Sequence, residues 1–443
     1  MYVETIPQLR VRPVMKPERL VSQPSLTLTE LAGCMIIATT CIDMWLGIYT
    51  LVRCGIYIVA VVLAFAGSGF KPRFNAIGAV FLLTGSLYIL KALLYPPVPI
   101  LVRNDIRNIL VGFAFLTTFG ITDLTVESWE RFQLKMHRTM VAVSSTGALL
   151  GLAKLLYYNQ GGVIPQLMDP ERGYPLGTSL TMDYNFYSLP LLLGLMSAFW
   201  LIKRDFAPLW RTLALLSLPC LALAVLFSGS RRGFIVILCA VPIFFAWLFF
   251  GTRDRPFKKP GLGMFWKVVS TIAVCLLLFC VLKFDFVSQT FQNVASADSL
   301  SDVLKRWDTF EEGTYSDSRV YYWTVSLQRL AHFGFMDYLF GEGFGYVTDL
   351  GADPDIVEDY PHNFLLSSML YGGVTQTCIL IVMVGIALKR LVFGLNRSML
   401  GGWFVLVLFF LSTSCNSFFS SEIAIFLMIL SLGLKPQQIR HRA

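Results

Sequence analysis

Apolar runs of about 20 residues recur along this chain, the length an α-helix needs to cross a hydrocarbon core. Lipid offers no partner to a backbone amide, so such runs close their hydrogen bonds internally, as helices. Twelve runs are present, at 27–43, 47–66, 74–94, 106–122, 139–157, 184–202, 210–228, 232–250, 265–282, 363–388, 399–412 and 415–434. With 55% hydrophobic and only 14% charged residues, the chain is too apolar for a soluble globular protein. The expected fold is an all-α polytopic membrane protein with about twelve transmembrane helices.

Lys and Arg in short loops stay on the cytoplasmic side, which orients the bundle. An even number of spans puts both termini inside. It also puts inside Arg10, Arg12, Lys16 and Arg19; Lys71 and Arg73; Arg131, Lys135 and Arg138; Lys203 and Arg204; Arg253, Arg255, Lys258 and Lys259; Lys389 and Arg390; and Lys435, Arg440 and Arg442. Arg103 and Arg107 are the exceptions, falling outside between the third and fourth runs. Five regions follow: a cytoplasmic segment 1–26, spans one to nine over 27–282, a large outer loop 283–362 between spans nine and ten, spans ten to twelve over 363–434, and a cytoplasmic tail 435–443. The outer loop is a polar island that holds 14 of the 28 carboxylates against 5 Lys or Arg, so it is where an extramembrane activity is expected.

The net charge of +8 needs no nucleic-acid partner, because topogenic lysines and arginines touching anionic membrane lipids account for it. Residues 1–26 mix prolines and basic residues ahead of any apolar run, so span one is expected to serve as the insertion signal. Most of the nine cysteines lie within spans and the outer loop has none. That excludes a disulfide-built ectodomain, and no ligand spacing suggests a metal or other cofactor. There is no evident internal repeat, which weakens a transporter built from inverted halves. Pro190, Pro219 and Pro242 fall inside spans six to eight, where they either kink the helices or are accommodated by neighbours.

Candidate chemistry gathers at the outer mouth. Phe227-Ser228-Gly229-Ser230-Arg231-Arg232-Gly233 joins two spans at about headgroup depth. Arginine there either snorkels to lipid phosphate or holds an anion, and the Ser-Gly-Ser lead-in offers N–H and hydroxyl groups for the second role. In the outer loop, Ser316-Asp317-Ser318 reads as a helix start, with Arg319 in the first turn and Trp323 one turn further on; a cation at that end is disfavoured unless an anion meets it or a ring stacks on it. Gly341-Glu342-Gly343 is a poor phosphate fingerprint. It is better read as a turn bringing chain segments together. Asp359-Tyr360-Pro361-His362-Asn363 closes the loop at the mouth of span ten. His362 suits proton transfer near neutral pH, with Asp359 or Asn363 to orient it, or else simply caps the helix.

In order along the chain, Asp183-Tyr184-Asn185, Ser230-Arg231, Ser318-Arg319 with Trp323, Gly341-Glu342-Gly343, Pro361-His362-Asn363-Phe364-Leu365 and Gly372-Gly373 resemble the bacterial O-antigen ligase and O-antigen polymerase superfamily, over roughly residues 180–390. The resemblance implies a GT-C-like, metal-independent, inverting glycosyltransferase of the bacterial inner membrane. It implies transfer of glycan from an undecaprenyl-diphosphate-linked donor to an acceptor hydroxyl at the outer face, with no cofactor. By position, His362 resembles the acceptor base, and Arg231 and Arg319 the residues that hold the donor diphosphate. Arg232 departs from the family's single arginine and shares the assignment with Arg231.

Two outcomes share this chemistry. A polymerase joins lipid-linked repeat units, with a chain-length regulator as its expected partner, whereas a ligase transfers the finished chain to lipid A-core; polymerase is favoured. A polyprenyl-linked glycan flippase requires charges deep inside the spans, and here they crowd the mouth. A scaffold in a polysaccharide assembly complex would make His362 dispensable.

Overall fold

The computed structural model describes residues 27–70, 126–237, 314–343 and 363–394, less a few short stretches within them. The described residues are 81% helical with no strand, the answer a lipid-facing backbone demands. Among the described residues, four helices are long and apolar enough to cross a membrane: Leu28–Leu46, Arg131–Asn159, Tyr184–Ile202 and Pro208–Leu226. The expected spans three, four, nine, eleven and twelve, and nearly all of span eight, lie outside the described residues.

Five helices form the first group. They are α1 (Leu28–Leu46), α2 (Thr50–Gly67), α3 (Val126–Asn159), α4 (Tyr184–Arg204) and α5 (Pro208–Leu226). Helix α1 begins in a capping box, in which Thr27 Oγ1 accepts from Glu30 N at 3.2 Å and the Glu30 carboxylate accepts from Thr27 N at 3.0 Å. Two donors that a helix start leaves unmatched are thereby satisfied. Helix α3 extends 13 residues upstream of the run expected from 139, because Val126–Arg138 continues the helix and buries Phe132 and Met136 against Gly33 of α1.

Small residues let the helices approach closely, as lipid-embedded packing requires where no hydrophobic force drives association. Gly147 faces the Trp45 ring, Gly194 lies against Ser144, and Gly151 accommodates the Tyr187 hydroxyl. Polar side chains bridge the helices: Thr40 and Tyr57 hydroxyls pair at 3.0 Å, Ser144 donates to Pro190 O at 2.7 Å, and Tyr187 donates to Gly147 O at 3.1 Å. Pro190 and Pro219 both sit within continuous helices. His137, buried, stacks on Trp200 and pairs through Nδ1 with Ser197 at 3.0 Å.

Ion pairs tie both ends of this group, with Arg53 meeting Asp43 where α1 passes into α2. At one end Glu30 pairs with Arg131, and Arg138 binds Asp205 through two bonds of 2.7 Å while lying over the Trp210 ring. This is the end that basic-residue placement assigns to the cytoplasm. Helix α2 closes there against Thr29, and α3 starts there. The opposite end carries the start of α4 and the Ser228–Ser230 turn.

A second group comprises α6 (Thr314–Ala331), α7 (Phe335–Phe340) and α8 (Phe364–Gly394). Helix α8 is broken at Gly373, whose φ of 63° and ψ of −163° interrupt the helical path.

Candidate functional site

Asp183 opens α4 as its N-cap, accepting from Asn185 N at 3.0 Å and Phe186 N at 3.1 Å. This leaves the Asn185 side chain to reach the turn that follows α5. Ser230 Oγ donates to Asn185 Oδ1 at 2.9 Å and accepts from Gly233 N at 3.1 Å, so Ser230 caps the next helical stretch while binding α4. Ser228 and Ser188 hydroxyls lie 2.9 Å apart, and Ser228 also donates to Val225 O. Both turn serines are buried. Their hydroxyls therefore hold two helices together rather than standing free for an anion, as the sequence had suggested. Gly233 packs against Val225 and Ser188, and Arg232, half-buried overall, has its guanidinium Nη1 buried beside this closely packed corner. Arg231 lies outside the described residues.

Above that corner runs the stretch Gly173–Asp183. Thr178 N donates to Phe227 O at 2.9 Å and its hydroxyl to Ala224 O, which ties this stretch to the end of α5. From below, α3 contributes a residue that sequence reasoning passed over. Lys154 is buried, and its ammonium donates to Pro175 O at 2.6 Å and to Ser179 O, with the Tyr174 ring 5.0 Å away. Carbonyl oxygens and an aromatic face take up the charge where lipid would not. Tyr174 stacks on Tyr158 at 4.7 Å, and burial raises its phenol above the ordinary range. The available signal was a single lysine in the otherwise apolar run 139–157.

In the second group, α6 starts at Thr314 rather than at the Ser316-Asp317-Ser318 cluster. Arg319 is thus its sixth residue, beyond the first turn and its dipole penalty; its side chain lies outside the described residues. The Gly341-Glu342-Gly343 turn does bring chain segments together. Glu342 N donates to Leu370 O at 2.8 Å and Gly343 N to Tyr371 O at 3.0 Å, on carbonyls just before the break in α8. Gly341 (φ 69°) and Gly373 pack backbone to backbone, and a Cβ on either would come within 2.5–2.6 Å of main-chain atoms of the other segment. Only glycine fits both places. Glu342 also accepts from Arg329 Nε at 2.9 Å, linking the turn to α6.

Asn363 caps α8, its Oδ1 accepting from Leu365 N at 3.0 Å and Leu366 N at 3.2 Å. His362 and Asp359 lie outside the described residues, as does the approach of His362 to either arginine. Among the described residues no group of His, Cys, Asp and Glu has a metal-holding arrangement. Set against known proteins, the chain matches no family model, no curated protein and no solved structure.

Proposed function

We infer that this chain is an inverting, metal-independent glycosyltransferase of the O-antigen polymerase type, a twelve-span protein of the bacterial inner membrane with cytoplasmic termini. The observation that carries the reading is that segments of the resemblance, remote in sequence, meet in pairs. Ser230 bonds Asn185, and the Gly341-Glu342-Gly343 turn interlocks with Gly372-Gly373. Chance matches to short motifs would have no reason to be neighbours.

In this reading His362 takes the proton of the acceptor hydroxyl as its oxygen attacks the anomeric carbon of the donor. The new glycosidic C–O bond forms as the bond to the diphosphate breaks, with inversion. Undecaprenyl diphosphate departs with the bonding pair, and Arg231 and Arg319 take up its charge through bidentate forks, with Arg232 beside them. Because Asn363 Oδ1 is committed to the α8 cap, its amide NH2 is the group left to orient His362, with Asp359 the alternative. The test is transfer by purified protein in lipid. Extension of a lipid-linked repeat unit, lost in His362→Ala, supports the polymerase. Transfer only to lipid A-core would make it a ligase, and full activity without His362 would end the enzymatic assignment.

A further inference from the structure

The outer loop, expected to be extramembrane, contains the apolar stretch Phe333-Gly334-Phe335-Met336-Asp337-Tyr338-Leu339-Phe340. It folds as the short helix α7 and leaves its large side chains uncovered: Phe335 is 77% exposed, Met336 64% and Tyr338 41%. A soluble domain rarely exposes adjacent large hydrophobes of this kind without a contact to make. The helix's one charge does not project with them. The Asp337 carboxylate lies back over the helix start, 3.3 Å from where a Cβ on Gly334 would stand, where the helix dipole favours an anion.

What covers this face follows from where α7 is docked. Its C-terminal turn, Gly341–Gly343, is bonded to Leu370 and Tyr371 and interlocked with Gly373 of α8. Lys389 and Arg390 mark the expected cytoplasmic end of that helix. The run 363–388 is longer than the about 20 residues a straight helix needs, so counting back from Leu388 puts the outer edge of the hydrocarbon near position 369, with 363–368 at headgroup level. Gly373 is four residues inside it, a descent of about 6 Å at helical rise. Amphipathic helices that lie in the plane of a membrane settle roughly 5–10 Å into the headgroup and acyl boundary. Val374, immediately beyond the docking glycine, is itself exposed, as are Ile381 and Val382 further along α8. Exposed apolar side chains thus stand both on α7 and on α8, the helix it docks on.

We propose that α7 lies in the outer leaflet at the boundary of headgroups and acyl chains, with Phe335 and Met336 as its anchors, so that part of the outer loop is membrane-embedded. The occupant of the face is lipid, and the inference rests on the orientation proposed above for α8, not on the reaction the chain performs. The test is a full-length chain with its native cysteines replaced, Met336→Cys labelled with an environment-sensitive fluorophore, in nanodiscs whose lipids carry bromine either near the headgroup or near the chain end. Phe335→Cys serves as a second position should the first variant not fold. The expected result is blue-shifted emission, quenched more by bromine near the headgroup. Water-like emission would overturn the proposal. Blue-shifted emission that neither brominated lipid quenches would overturn it equally, because another part of the chain or a second copy would then cover the helix.

Discussion

Removing a general base typically lowers a rate by about 10²–10⁴-fold, and His362→Ala is expected to lose that much glycan transfer while its membrane insertion is unchanged. A parental rate in the purified variant would refute the role. Arginine is assigned to the diphosphate because its planar fork meets two oxygens at once, which a lysine ammonium cannot do. Arg231→Lys and Arg319→Lys should each therefore impair transfer despite the retained charge, with Arg232→Lys milder; two fully active lysine variants would reduce these residues to lipid anchors. Lys154 supplies a residue-scale test that needs no substrate. Lys154→Met leaves Pro175 O and Ser179 O without their donor, at roughly 1–3 kcal/mol for each carbonyl left buried. Amide exchange at Thr178, whose N–H bonds Phe227 O, should accelerate. Unchanged exchange would mean that the stretch is held without the lysine. A lone charge in a span is a recognisable signal. Its partners were not legible, because they depend on residues 173–183 folding back over α3, which no local spacing encodes.

At the scale of elements, the glycines that matter are those where two backbones touch. Gly341 and Gly373 combine positive φ with main-chain atoms about 2.5 Å from any added Cβ, so neither a rotamer change nor a small shift relieves the clash. Gly341→Ala and Gly373→Ala should each uncouple the turn from α8, read as faster amide exchange at Glu342 and Gly343. A Glu342→Ala variant keeps both backbone bonds and loses only the Arg329 tether, so its amides should stay protected. Fast exchange in Glu342→Ala with protection kept in both glycine variants would mean that the ion pair rather than the backbone contact holds the turn. The sequence made this turn readable as a close approach, since two glycines one residue apart serve little else. That its target is the Gly372-Gly373 break was not readable. A glycine pair within an apolar run is ordinary in membrane helices, and the break appears only where the turn's N–H groups take the carbonyls of Leu370 and Tyr371. Similarly, α6 starts at Thr314 rather than at the Ser316-Asp317-Ser318 cluster, a two-residue difference of the size by which helix ends ordinarily vary.

For the molecule as a whole, apolar length and basic-residue placement imply a topology, and the described helices are compatible with it in part. Helices α1 and α3 start at the same end of their bundle, where Glu30 meets Arg131, and α4 ends there, where Asp205 meets Arg138. Both ion pairs neutralise, at a membrane face, charges that would be costly deeper in lipid. A cysteine placed near Ser299, in a background without the native cysteines, should react with an impermeant thiol reagent applied from outside; one near Lys258 should not, and reversed labelling would overturn the twelve-span arrangement. The same preparation tests how charge is handled in the reaction. If arginine forks rather than an ion stabilise the departing diphosphate, transfer should survive EDTA, because neither step in the proposed mechanism needs a Lewis acid. Loss of transfer in EDTA, restored by Mg²⁺ or Mn²⁺, would instead give the charge-stabilising role to a metal held by the acidic end of the outer loop, where Asp353, Asp355, Glu358 and Asp359 precede His362 in the sequence. Arg231 and Arg319 would then be left with substrate positioning alone, and their lysine variants should show a raised KM at an unchanged kcat.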